Sequence, residues 1–440
     1  MLSLYRHSDV IRADTIPSLP HESHQQEMNA SATVSPQRSV GADAQLIGLV
    51  GLAHAISHFS QLVLAPLFPW IKEEFAVSYT QLGAVLTVFF IVSCIVQTAS
   101  GFLVDRMGPR PVLFGGLALL ASSGLVYASA QGYWMLFLGA CLAGIGNGVF
   151  HPVDYTLFNR KVAPTRLGHA YSVHGITGSL GWALAPIFVV PLAMAFSWRV
   201  ALAAAGGVAL AVLLVLWIWR SVLALDLAPA RKAAAGAHAS AAGELDFLRI
   251  PAVWVCFGFF FLYAVVISVV QTFAPTAAAH LHDVPVALIA ACLTAYMVAS
   301  AGGMLVGGFL VTDPSRCERI VALGFGLAAC MALLLAFADF PPIAVPVLFG
   351  AMGFASGLAG PSRDLIVKRA TPANASGRVY GVVYAGLDIG QACAPLLFGA
   401  MMDRGHYRSV ILGLALVQAV LIAGAFNVRK ARRTTLVASA

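Results

Sequence analysis

Stretches of about twenty apolar residues recur along this chain from end to end, each long enough to cross a hydrocarbon core of roughly 30 Å as a helix. Within a bilayer every backbone N–H and C=O must find its partner inside the protein, so a continuously apolar run of that length folds as a helix. A closed β-barrel is excluded, because its strands alternate in polarity over about ten residues. The runs fall at roughly 46–70, 80–104, 111–129, 133–158, 168–193 and 198–219, and again at 251–274, 285–311, 320–338, 342–366, 378–401 and 408–427. With 59% of its 440 residues hydrophobic and 10% charged, the chain departs far from soluble domains, in which about a quarter of residues are charged. The expected class is an all-α membrane protein of twelve transmembrane helices.

The runs divide into two sets of six. Residues 45–220 form an N-terminal half and 250–428 a C-terminal half, joined by an Ala-rich polar linker at 221–249 that carries Arg231, Lys232, Glu244 and Asp246. Polar tails are expected at 1–44 and 429–440, the first of them disordered. Cytoplasmic loops retain Lys and Arg. With the N-terminus inside, all 26 of these residues fall on the cytoplasmic side except Lys72, Arg199, Arg404 and Arg408. That arrangement predicts a multi-pass protein of the inner cell membrane with both termini cytoplasmic. Trp70, Trp134, Trp198, Trp217, Trp219 and Trp254 lie near span ends, where an amphipathic ring suits the interface; Trp182 is the exception.

The net charge of +7 sits in short loops and forms no basic helix interleaved with aromatics, so nucleic acid is not an expected partner. The seven cysteines are scattered singly, which reads as packing and not as a disulfide framework.

An offset of 209 residues aligns the halves: Pro152 with Pro361, Gly168 with Gly377, Tyr171 with Tyr380, Gly181 with Gly390, Pro186 with Pro395 and Arg199 with Arg408. At an offset of 207, the stretch from Gly101 to Val104 repeats as Gly308 to Val311, followed by Asp105 in one copy and Asp313 in the other. Two six-helix repeats in one orientation place a site between the halves near mid-membrane, and rocking of one half against the other gives alternating access.

After the second run stand Gly101, Asp105, Arg106, Gly108 and Arg110. Gly101 allows close helix packing, and the two arginines supply partners for acids on neighbouring helix ends. This loop resembles the signature loop of the major facilitator superfamily, with Pro109 where many members carry a basic residue. The resemblance implies a cytoplasmic latch that stabilises an outward-facing state. Asp154 is a proton or substrate site, or, as the plainer reading, the partner of Arg106 or Arg110 in that latch. Arg363 and Asp364 occupy the matching place in the second half and are expected to pair structurally. Three further stretches, His54 to Pro69, Gly146 to Asp154 and Gly168 to Pro186, are together similar to the fosmidomycin-resistance branch of the superfamily. That branch implies proton-driven export of a small antibiotic or metabolite.

Ionisable groups within a membrane are costly and so are functional candidates. Among the 19 carboxylates only Asp388 falls at the centre of a run, where it can take up and release a proton in each cycle or be held by hydrogen bonds to Tyr384. Gln391, three residues on, shares its helical face. His54, His58 and Gln61 recur at i, i+4 and i+7 and form one polar stripe on the first helix. They are candidates for binding a substrate or relaying a proton. Two histidines four apart also suit a metal, but neither acid nor cysteine stands among them, so no metal centre and no cofactor are expected.

Asn147 and His151 share a face before the helix-breaking Pro152. With His174, Tyr263, Gln271 and Tyr296 they complete the candidate cavity wall. The predicted function is secondary active transport of a small solute, coupled to protons and directed outward, by a monomer in the lipid bilayer. Import and a transporter-like sensor are the alternatives. No nucleophile elbow, metal cluster or phosphate-cradling glycine loop is found, so an enzyme is not expected.

Overall fold

The computed structural model describes residues 39–225, 251–310, 316–370 and 376–438, except for the side chains at 252, 364, 367–384 and 427–438. The linker at 226–249, most of the two tails, Asp313 of the expected gate, and the side chains of Asp364 and Tyr384 lie outside this set. Among the described residues there are helices and turns but no strand. Twelve helices are long and apolar enough to span a membrane: Val40–Phe75, Tyr79–Met107, Pro109–Ala128, Tyr133–Lys161, Pro164–Ala195, Trp198–Ile218, Val253–Thr272, Val286–Leu310, Cys317–Phe337, Ala344–Arg363, Ala385–Asp403 and Tyr407–Phe426. They are spans 1 to 12 below.

Local sequence sets the breaks. Ser78 and Gln81 cap the start of span 2 reciprocally, each side chain bonded to the other's backbone N–H, the capping-box arrangement. Gly108 takes φ 86°, a conformation that only glycine adopts without strain, and Pro109 opens span 3 directly after it. Span 4 is two helices, Tyr133–Asn147 and Phe150–Lys161. Pro152 has no N–H to offer the carbonyl of Gly148, and the Ser100 hydroxyl of span 2 donates to that carbonyl instead, at 3.1 Å. The repeat places a second break before Pro361, between Ala344–Leu358 and Gly360–Ala370.

Span 1 begins at Val40, inside the stretch expected as a disordered tail. Buried Asp43 explains the difference: its carboxylate accepts from Arg166 Nε at 2.8 Å and from the Ala163 N–H at 3.1 Å, tying the first helix to the turn before span 5.

Two zippers, each of antiparallel helices, join the halves, span 2 on span 11 and span 5 on span 8. In the first, Asp403 accepts from the Tyr79 N–H at 2.6 Å, the Thr80 N–H at 2.9 Å and the Thr80 hydroxyl at 2.6 Å. Further along, the Thr87 hydroxyl donates to the Ala392 carbonyl at 2.6 Å. Phe273, just beyond span 7, meets the rings of Phe68 and Tyr79 at the same face. Towards the opposite face the packing lapses, and a Cβ added to Gly101, Gly168 or Gly175 would meet nothing within 4 Å. Gly101 therefore does not mediate the close packing expected of it. Asp105 and Arg106 are exposed there, and Arg110 is half-buried.

Candidate functional site

The polar stripe of span 1 faces the small-residue run of span 5. A Cβ on Gly178 would come within 3.0 Å of both His54 Nε2 and His58 Cε1, and one on Gly181 within 2.1 Å of the Ala55 carbonyl oxygen. These two glycines thus clear the space into which the imidazoles of His54 and His58 project. Span 4 adds His151 and Asp154, one helical turn apart just after the break, and span 5 adds His174. Asp154 is fully buried. Its Oδ2 lies 3.1 Å from His174 Nε2, which is placed to donate to it, and 3.2 Å from His54 Nδ1. The rings of His54 and His174 stack with centroids 3.5 Å apart; those of His54 and His58 lie 4.4 Å apart.

Asp154 is thus no partner of Arg106 or Arg110. It lies seven residues inside the Lys161 end of its helix, about 10 Å along the axis, too deep for a latch at the membrane face. The premise that no acid stands among the histidines also fails, because Asp154 reaches them from another span.

Around this core the remaining candidates act as ties. Asn147 accepts from the Ser57 hydroxyl at 2.7 Å and donates to Ser93 Oγ at 2.9 Å, linking spans 1, 4 and 2. His151 Nδ1 lies 3.1 Å from Gln97 Oε1 of span 2. Trp182, the one tryptophan away from a span end, packs at a tilt against His58, with ring centroids 4.2 Å apart, and donates its indole N–H to Gln61 Oε1 at 2.7 Å.

Three atoms in the cluster are buried and make no hydrogen bond: His54 Nδ1, His58 Nδ1 and Asp154 Oδ1. The 3.2 Å approach of His54 to Asp154 is therefore close in distance without the alignment of an N–H donation.

Asp388 stands apart on span 11, half-buried, with the Cys94 thiol of span 2 within hydrogen-bonding reach of its carboxylate. Gln391, one turn on, has a buried Oε1 without a hydrogen bond. In the second half, buried Tyr296 bonds to Ser356. The Tyr263 ring lies 4.0 Å beneath the Arg363 guanidinium, which also rests over Phe260. Gln271 is buried near the Asp403 face and lines a small cavity with Trp70 and Pro186. Gln97 and the site role of Trp182 escaped the sequence reading, and Arg363, expected there to pair structurally, lies over aromatic rings. Only Trp182 carried a signal there, its distance from either interface.

Twelve spans in two related halves that meet along paired helices define the class of secondary membrane transporters. The chain belongs to the Major Facilitator Superfamily, whose family model matches residues 50–351 and 286–439. It is similar to the fosmidomycin resistance protein of Escherichia coli K12, 26% identical over 158 residues that make up 36% of this chain and 38% of that one. It is likewise similar to the probable nitrate transporter NarT of Staphylococcus carnosus, 27% identical over 31% of this chain and 35% of the relative. The hexuronate transporter of Bacillus subtilis is 30% identical over 34% and 35% respectively. Each match thus covers under two fifths of the relative's length. In fold, the chain resembles a bacterial homologue of the human lysosomal transporter Spinster, solved in an inward-facing and occupied conformation. The TM-score is 0.69 at 14% identity, over 89% of this chain and 98% of that one.

Proposed function

We propose that the chain is a proton-coupled exporter of a small drug-like or metabolic solute, working by alternating access in the inner membrane with both termini in the cytoplasm. Export is favoured by the likeness to the fosmidomycin resistance protein and by the small-residue run of span 5. With this orientation the Asp403 face is the outer one. Closure of that face by these contacts fits the state in which an exporter loads its solute from the cytoplasm.

The observation that carries proton coupling is the contact of Asp388 with Cys94. It is the innermost of the described contacts along the span 2 and span 11 zipper, and it bridges the two halves. Gain or loss of a proton on Asp388 changes the charge at a junction that must separate when the halves rock, which links protonation to the conformational cycle.

The test is reconstitution in vesicles under an imposed pH gradient, with solute screening and a pH-sensitive dye inside. Wild type is expected to move solute against the proton flow, and Asp388→Asn to lose the coupling. If the variant still couples flux to the gradient, Asp388 is not the proton site. If wild type moves solute with the proton flow, the protein is an importer.

A further inference from the structure

We infer that the cluster of His54, Asp154 and His174, with His58 and His151 beside it, is a binding site for a divalent transition-metal ion of the zinc class. The inference stands on geometry and does not depend on the direction of transport or on Asp388.

Zinc and its neighbours take imidazole and carboxylate ligands at about 2.0–2.1 Å, so two ligand atoms on a tetrahedral ion are about 3.3 Å apart. Asp154 Oδ2 lies 3.2 Å from His54 Nδ1 and 3.1 Å from His174 Nε2, close to those edges. His54 belongs to a second group with His58 and His151, in which potential ligand atoms again lie within 4.8 Å of one another. His58 and His151 are thus the nearest further imidazoles that could supply a fourth ligand.

A hydrogen-bonded network accounts for the His174 contact but not for the rest. His54 Nδ1, His58 Nδ1 and Asp154 Oδ1 are buried without a hydrogen bond. Leaving such groups buried and unpaired is costly. A metal ion satisfies acceptor lone pairs of the kind these atoms carry, and a buried carboxylate is well placed to offset part of its charge. The supporting shell is also built. Gln97 holds His151 through Nδ1, which leaves the other ring nitrogen for a ligand bond, and Trp182 packs against His58. Outer partners of this kind fix the orientation of ligating imidazoles. All four histidines and the acid belong to the first repeat, so the site needs no movement of one half against the other in order to form.

The probe is Co2+, added to the purified full-length protein in detergent after removal of any affinity tag, followed by displacement with Zn2+. The expected result is the visible absorption of tetrahedral Co2+, saturating at one ion per chain and abolished by Zn2+. Asp154→Asn and His54→Ala are each expected to weaken Zn2+ binding by a factor on the order of 100 or more, given that even outer-shell changes cost about 10–100-fold. His406→Ala, at an exposed loop histidine, leaves it unchanged. His174→Cys retains an ion and adds a thiolate-to-Co2+ charge-transfer band, a signature that only a direct ligand produces. This last variant decides the matter if the deletions do not fold. Absence of the visible bands in wild type overturns the inference, as do bands that are unmoved in His174→Cys.

Discussion

His54 and Tyr263 stand 209 residues apart at the same place in the two repeats, and each touches the residue that the same offset pairs across the halves. His54 lies 3.2 Å from the carboxylate of Asp154, and Tyr263 lies 4.0 Å from the guanidinium of Arg363. The duplicated fold thus keeps one contact between its first and fourth spans and reverses the sign of the charge in it. An anionic group sits among imidazoles in one half, and a cationic group sits on aromatic rings in the other.

The second of these contacts is held by ring faces, so it should survive loss of the phenol oxygen but not of the ring. Tyr263→Phe is expected to leave stability nearly unchanged. Tyr263→Leu should lower it by about 1–2 kcal/mol, the range for a desolvated cation–π pair. Thermal unfolding of the purified variants, ranked against wild type, checks the order. Equal losses in the two would mean that the oxygen, not the ring, is what matters.

Close approach of spans 1 and 5 rests on Gly181, where an added Cβ would meet the Ala55 carbonyl oxygen at 2.1 Å. A backbone atom cannot swing aside as a side chain can, so Gly181→Ala must push the helices apart and disturb the histidine cluster. Gly175→Ala, two turns towards the other face, meets nothing within 4 Å and gains from the better helix propensity of alanine. A marked fall in melting temperature is expected for the first and none for the second.

The spans, the repeat and the break at Pro152 were legible because hydropathy, glycine and proline act on the local chain. The candidate site was legible only in part. His54, His58 and Gln61 declared themselves by helical spacing on one span, whereas Asp154 was misplaced. Its place towards the inner end of the fourth span suggested a partner in Arg106 or Arg110 at the membrane face, but it lies seven residues inside the end of its helix, about 10 Å inward. Its contact with His54 joins spans 1 and 4, a pairing that no periodicity within either helix encodes. The role of Trp182 depended in the same way on which helix faced it.

At the break in span 4, Ser100 and Pro152 are coupled through one carbonyl. Ser100→Ala leaves the Gly148 oxygen without its donor, at a cost of about 1–3 kcal/mol. Pro152→Ala restores an N–H that can close the helix onto the same oxygen. The double variant should therefore be less destabilised than Ser100→Ala alone, and an unfolding double-mutant cycle measures the coupling. Strict additivity would show that the serine does not serve that carbonyl.

Asp403 makes a polar contact between the halves, accepting two backbone N–H groups and a hydroxyl at the start of span 2. Hydrogen bonds to a charged group contribute about 1.5–3 kcal/mol each, and these form only while the Asp403 face is closed. Asp403→Ala should therefore shift the balance towards the state open at that face, by on the order of tenfold or more, since each 1.4 kcal/mol is a factor of ten. Asp403→Asn keeps an acceptor oxygen and should shift it less. Spin labels at exposed Gln131 and Asp339, one in each half at this face, report the outcome as a longer distance population that grows from wild type through Asn to Ala. Because the clasp lies at the end of the zipper whose inner contact is Asp388 with Cys94, the same variants, by depopulating the state closed at that face, should also slow solute loading from the opposite face without abolishing proton coupling. Distances that do not change with substitution at Asp403 would show that the aromatic contacts around Phe273 hold the face closed unaided.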